Sequence, residues 1–363
     1  MPPRNHKQWT KTPSIEHISS LIYSDYDLYE QEIEKIFAKV WVPVCHESEL
    51  PEVGRYRTSQ IAHKNVLVAH EPDGIQAYLY HNPGIVRVAG NLSELDYAAW
   101  DKLHTEVNYG GMVWTTLDRN PTQGLEQWLD GAFDCIDDAI NTEPLEVFHY
   151  HKAIIETNYK LWHDTNSEFY HDFMHYHNRV TGFNDAYFAR KNIPFNNGHV
   201  NVSSFTVQYE EYEGFEDRGE LSFPNLPPNQ WYMVDLFPGF NFNLRGSAYR
   251  SDSVTPLGPN KVLIEFRGYG LKSDSPEDRA TRIEHHNSIW GPFGRNLHED
   301  LIGVAGQGTT MRTGTEPRNI LHGRHEGGTI HDEVGMRHYY AEWSKWMGVS
   351  AQNPVEELAE EAA

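Results

Sequence analysis

The sequence predicts an α+β protein, and three observations carry that reading. Two runs, "QWYMVDLFPGFNFNLRGSAYRSDSVTPL" (230–257) and "KVLIEFRGYGL" (261–271), are rich in β-formers and punctuated by Gly, Pro and Asn, the pattern of antiparallel strands joined by turns. A helix follows them in "SPEDRATRIEHHNSIW" (275–290), with Ser275 as N-cap, Pro276 at the first helical position and Glu277 and Asp278 in the first turn. Upstream, "NVLVAHEPDGIQAYLY" (65–80) sets two β-rich runs around Pro-Asp-Gly and reads as a hairpin.

Taken in order, "DYDLYEQEIEKIFAKV" (25–40) is a helix that buries Leu28, Ile33, Ile36, Phe37 and Val40. The hairpin and "MVWTTL" (112–117) define a small β-rich unit, and "LEQWLDGAFDCIDDAI" (125–140) is a helical connection. From about residue 146, "EVFHYHKAIIETNYKLW" alternates like a strand and runs straight into the next helix. "HVNVSSFTVQYEEY" (199–212) is a further strand, "RNLHEDLIGVAGQ" (295–307) a further helix, and "VEELAEEAA" (355–363) an acidic tail. Four segments are expected: an arm and helix (1–40), a small β unit with its connection (41–145), a large α+β domain (146–350) and the tail (351–363).

Bulk composition narrows the function. No apolar run approaches the roughly 18 residues that span a bilayer. The start, "MPPRNHKQWTKTPS", has no apolar secretion core, so a cytoplasmic location is expected. The formal charge of −22 repels phosphate backbones and anionic lipid, which argues against nucleic-acid or membrane partners. Cys45 and Cys135 form no CxxC pair and read as free thiols. Dinucleotide, P-loop, HExxH and GxSxG signatures are absent.

The chemistry concentrates in "HDTNSEFYHDFMHYH" (163–177). Wound as a helix at about 100° per residue, Asp164, Glu168, His171 and His175 fall within an arc of roughly 60°, a polar seam among Trp162, Phe169, Tyr170, Phe173, Met174 and Tyr176. Two imidazoles four residues apart, completed by a distant carboxylate, make a facial triad suited to Fe(II). Asp300 in "NLHEDLIG" is the candidate third ligand, with Glu299 second; Glu168 and Asp164 are candidate outer acceptors for the imidazole N–H groups. His177 lies opposite His171 on the wheel and fits only if the helix unwinds. The pairs His149/His151, His285/His286 and His322/His325 lack a matching carboxylate and read as surface or core packing. Phe205, Trp231, Phe237, Phe240 and Phe242 are expected to line an apolar pocket. They suit a non-catalytic ligand binder equally well.

At this point the sequence resembles a family, the catalytic α subunits of Rieske non-heme iron ring-hydroxylating oxygenases. The residues that carry the resemblance are "EIEKIFAKVWVPVCHESELPEVGRY", "NYKLWHDTNSEFYH", "TPLGPNKVLIEFRGYGL", "GPFGRNLHEDLIGVAGQ" and "MRHYYAEW". The resemblance implies a helix-grip antiparallel sheet around a deep pocket, a Rieske-like small β domain before it, and mononuclear Fe(II). By position, His171 corresponds to the first iron histidine, Asp300 to the carboxylate ligand, and Glu168 to the acid that links metal centres of neighbouring subunits. The family's usual second histidine would fall on Tyr176, so His175 or His177 takes that place, and the helical face favours His175.

One departure stands out. A Rieske [2Fe–2S] centre takes two Cys and two His, which the family supplies as Cys-x-His and Cys-x-x-His. Neither Cys45 nor Cys135 has a histidine two or three residues on, and the stretch before "MVWTTL" looks short by several dozen residues. No [2Fe–2S] cluster is therefore expected in this chain, and its small β domain looks degenerate. Electrons would come from a separate Rieske ferredoxin and reductase, or from a companion α or β subunit. Alternatively, a phenolic substrate supplies them itself, or the chain is a silent structural subunit. The expected aromatic pocket suggests an aromatic or small apolar substrate, and the resemblance implies O₂ as co-substrate and a homotrimer or mixed hexamer.

Overall fold

The computed structural model describes residues 17–80, 88–176, 179, 183–207, 221–313, 319–321 and 329–354. Its largest element is a seven-stranded antiparallel sheet. The strands are β1 (Leu145–Ile155), β2 (Asn192–Pro194), β3 (Val200–Thr206), β4 (Gln230–Leu236), β5 (Phe240–Arg245), β6 (Ala248–Gly258) and β7 (Lys261–Leu271), in the order β1-β7-β6-β5-β4-β3-β2. Tight turns at Phe237–Gly239, Gly246–Ser247 and Pro259–Asn260 join consecutive strands, where the sequence places its Gly, Pro and Asn.

Four helices matter for the site: α1 (Tyr159–Ser167), α2 (Pro276–Trp290), α3 (Arg295–Thr313) and α4 (Val334–Met347). The capping expected for α2 is present: Ser275 Oγ accepts the Asp278 N–H at 3.0 Å and Pro276 opens the helix. Helical structure also covers Tyr26–Phe37, capped by Asp25. Among the described residues no helix is long and apolar enough to cross a membrane.

Two smaller sheets precede the large one. Lys64–Glu71 and Gly74–Leu79 form the expected hairpin inside a five-stranded sheet, and Met112–Thr116 is central to a three-stranded one. Alternation along the strands gives the large sheet two different faces. Val234, Phe242, Leu244, Tyr249 and Tyr269 look toward the small sheets and join Val44, Trp114 and Phe133 in the main core; the Phe133 and Phe242 rings lie 4.9 Å apart. The other face is gripped by α1 and α3, through Trp162, Val254, Ile264, Phe266, Leu297 and Val304.

Phe237, Phe240 and Phe242 therefore belong to the core against the small sheets, and none of them lines the cleft beside His171 and His175. The sequence shows their aromatic character but not which face of the sheet is buried against which neighbour.

One buried ion pair ties the N-terminal helix to this body. Lys160 Nζ meets Glu32 Oε1 at 2.6 Å with both side chains fully buried, and Trp343 Nε1–H donates to the same oxygen.

Candidate metal centre

The expected continuous helix through 163–177 is not what forms. α1 ends at Ser167, Glu168 turns extended (φ −107°, ψ 140°), and a short 3-10 turn spans Tyr170–Phe173. The break has a local cause. The Glu168 N–H still closes the helix on Asp164 O at 2.9 Å, but its carbonyl leaves the ladder and accepts from His171 Nδ1 at 2.8 Å, while its carboxylate lies 2.8 Å from the same nitrogen. With Nδ1 held on that side, Nε2 is the free ligating atom.

His171 and His175 still converge, because the tight turn performs what the helix was expected to do. Their Nε2 atoms lie 3.6 and 3.1 Å from Oδ1 of Asp300, which α3 contributes from the far side. His175 Nδ1 is held by Glu299 Oε2 at 2.6 Å. Glu299 thus orients an imidazole, the work expected of Asp164. Asp164 itself is fully enclosed, its carboxylate accepting from Tyr23 Oη at 2.6 Å and Tyr340 Oη at 2.8 Å. Burial, only partly offset by His163 and the two tyrosines, pushes its pKa up to about 7. His177 lies outside the described residues, as do His322 and His325.

The donor set fits a divalent cation. Asp300 Oδ1 is buried and forms no hydrogen bond despite two imidazole nitrogens nearby, so the three groups point at a common space rather than at one another. Metal bonds of about 2.1 Å place neighbouring ligand atoms about 3–3.5 Å apart, close to the 3.6 and 3.1 Å between Asp300 Oδ1 and the two imidazoles. Electrostatics agree: burial lowers the His171 pKa, but Glu168, Asp172 and Asp300 outweigh it and push the pKa up to about 10. Such a cluster asks for positive charge.

Asp172 was not foreseen. Its Oδ1 lies 3.7 Å from His171 Nε2, and its ligand atom falls within 4.8 Å of those of both histidines. Its other oxygen accepts from Tyr187 Oη at 2.6 Å, with Arg190 at 3.9 Å. That commits much of the carboxylate to the protein and leaves Asp300 as the better ligand. Its place directly after His171 gave a signal that wheel geometry, pointing it 100° away, concealed.

The centre opens into a narrow cleft of about 40 Å³. Trp231 is the only one of the five expected aromatics on its wall; Asn243, Arg245 and Arg250 are there with it. Trp231 Nε1–H donates to Asn243 Oδ1 at 2.8 Å, which leaves the Asn243 amide N–H groups as donors. The cleft is polar and carries both signs of charge, Arg245 and Arg250 (the latter paired with Asp252 at 2.8 Å) lining it with Asp172 and Asp300, where an apolar one was expected.

Comparison with known proteins places this architecture. Residues 142–349 match the family described as the ring-hydroxylating alpha subunit (catalytic domain). A chain 56% identical over 403 positions is the methanesulfonate monooxygenase hydroxylase subunit alpha of Methylosulfonomonas methylovora, covering 98% of this chain and 97% of that one. This chain belongs to the ring-hydroxylating oxygenase α subunits. The 2-aminobenzenesulfonate 2,3-dioxygenase subunit alpha of Alcaligenes sp is 33% identical, over 93% and 95% of the two chains. In structure, naphthalene 1,2-dioxygenase from Rhodococcus sp. shares the fold with a TM-score of 0.73 at 18% identity, over 92% and 95% of the chains. Members of the family are mononuclear non-heme iron oxygenases that use O₂ and electrons from partner proteins, and this α subunit is such an oxidoreductase. An alignment of 403 positions leaves at least 40 with no counterpart in a chain of 363 residues.

Proposed function

We propose that His171, His175 and Asp300 hold Fe(II), and that the chain oxygenates a small organosulfonate bound by Arg245 and Arg250. The observation that carries this is the convergence of two imidazoles on one carboxylate oxygen, at 3.6 and 3.1 Å, at the end of a cleft walled by two buried guanidinium groups. A facial triad leaves coordination positions open, so bound iron would supply O₂ activation beside the substrate. The chain's own residues do the rest. Glu168 and Glu299 fix the two imidazoles in the tautomer that presents Nε2. Guanidinium forks match the oxygens of a sulfonate, and Asn243 adds N–H donors. Held by its anionic end, the substrate turns its carbon end toward the metal. The two relatives that act on sulfonates by name support this substrate class.

The chain is further read as carrying no [2Fe–2S] cluster of its own. Its only two cysteines do not fit one: Cys45 is buried within a strand, where burial pushes its thiol well up, and burial likewise pushes Cys135 up to about 12. His46 beside Cys45 is already held by Gly110 O and Ser48. Residues 41–145 are then a remnant of a cluster-bearing domain, and 146–350 the iron-binding domain. Electrons arrive from another polypeptide, a Rieske protein or companion subunit, within a trimer or mixed hexamer.

The test is O₂ consumption by iron-loaded protein with supplied electrons. Methanesulfonate should stimulate it, naphthalene should not, and Arg250→Met should raise the KM for methanesulfonate at least about 30-fold, corresponding to roughly 2 kcal/mol for a lost buried charge pair. Equal stimulation by both compounds, with an unchanged KM in the variant, would refute the sulfonate reading.

A further inference from the structure

The far end of the polar sheet face holds three histidines to which the oxygenase reading gives no work. Strand register sets Asn243, Arg250, Gly268 and His149 side by side across β5, β6, β7 and β1. The next row is Asn241, Asp252, Phe266 and His151. Gly268 leaves a notch in the first row, and His286 from α2 fills it: a Cβ at 268 would lie 2.5–2.8 Å from the imidazole. His286 therefore sits between Arg250, on the cleft wall, and His149, whose ring centroid is 4.6 Å away. His149 Nε2 in turn meets His151 Nδ1 at 2.8 Å, and both are half-buried on the edge strand β1. The row runs from solvent to the cleft.

Along it, polar atoms lack protein partners among the described residues. Both ring nitrogens of the fully buried His286, Nε2 of His151, Nε of Arg250, Oδ1 of Asp252 and both amide atoms of Asn241 are buried without a hydrogen bond. Native proteins satisfy such groups with ordered water, and a contiguous run of them marks a hydrated file. Burial lowers the pKa of all three imidazoles, that of His151 to about 4. Each is thus neutral at pH 7, with one N–H and one lone pair.

We propose that His149, His151 and His286, joined by ordered water, form a proton inlet from solvent at β1 to the Arg250 wall of the cleft. This rests on the oxygenase reading. When O₂ takes two electrons from the partner protein and one oxygen atom enters the substrate, the other leaves as water with two protons. Those protons come from solvent, and the inlet carries them. A neutral imidazole accepts a proton at one ring nitrogen and releases one from the other.

Two readouts test it, one of them independent of turnover. In the metal-free full-length chain labelled with ¹⁵N-histidine, magnetisation should pass from water to the His286 ring N–H within milliseconds. A dry notch, with no transfer to a ring whose signals are assigned by loss in His286→Gln, would overturn the proposal. In the iron-loaded chain with methanesulfonate and supplied electrons, His286→Phe should lower kcat about 10-fold with KM unchanged. Added imidazole should restore His151→Ala but not His286→Phe. Full kcat in both His286→Phe and His286→Gln, with an ordinary solvent isotope effect, would also overturn it. Should methanesulfonate prove not to be a substrate, the water-exchange result still decides, so failure of the inlet and failure of the sulfonate reading are distinguishable.

Discussion

The two faces of the seven-stranded sheet are built from the same strands, yet they follow opposite rules. Phe242 and Val234 face the small sheets, fully buried among apolar neighbours. One residue along, Asn241 and Asp235 face the helices, equally buried, and carry polar atoms without protein partners. Burial of apolar area stabilises a fold, whereas burial of an unsatisfied polar group opposes it. The first face is core throughout. The second is core where α1 and α3 pack on Val254, Ile264 and Phe266, but elsewhere it is kept polar at a cost in stability, and that polar part carries the cleft and the candidate metal centre.

Substitutions can break that contrast. The largest effect is expected from Phe242→Ala, which should lose about 3–5 kcal/mol in chemical denaturation and leave iron binding intact. A loss under about 1 kcal/mol would mean this face is not the main core. Lys160→Met should cost a similar 3–5 kcal/mol, because it strands the Glu32 carboxylate in the interior, and adding Glu32→Gln should recover much of the loss. If the double variant were no better than the single one, the pair would not be coupled.

Asp164→Asn should have a smaller, pH-dependent effect. The Asp164 pKa is raised to about 7 in the folded chain against an ordinary 3.8, so between those values the folded state holds a proton that the unfolded state has released. Wild-type stability should therefore fall relative to the variant as pH rises from about 4 to about 7, with a flat difference outside that window. A difference that stays constant across it would show that Asp164 is ionised throughout. Smallest of all, Asn241→Leu should change stability by less than about 1 kcal/mol, since it removes polar atoms that have no protein partner. A loss near that of Phe242→Ala would contradict the distinction between the faces.

The fold was legible wherever local chemistry decides it. Ser275-Pro276 before an acidic first turn, Pro-Asp-Gly between β-rich runs, and the Gly, Pro and Asn breaks after residue 230 each mark what forms there. The convergence of His171, His175 and Asp300 was legible in the sequence, but the backbone that produces it was not. Helical spacing and the turn at Glu168 bring the same side chains together, and sequence periodicity alone does not separate them. The Tyr23–Asp164–Tyr340 contact is another matter: its partners are 141 and 176 residues from Asp164, and only the tertiary fold joins them. The same holds for the cleft. Arg245 and Arg250 read as ordinary strand residues until the register turns them into the cleft beside His171, His175 and Asp300.

The most direct measurement is iron bound per chain after anaerobic reconstitution with Fe(II). Close to one equivalent is expected for the wild type, and less than a tenth for His171→Ala, His175→Ala and Asp300→Ala, with folding retained. Full iron in the three variants, or none in the wild type, would contradict the assignment of the centre.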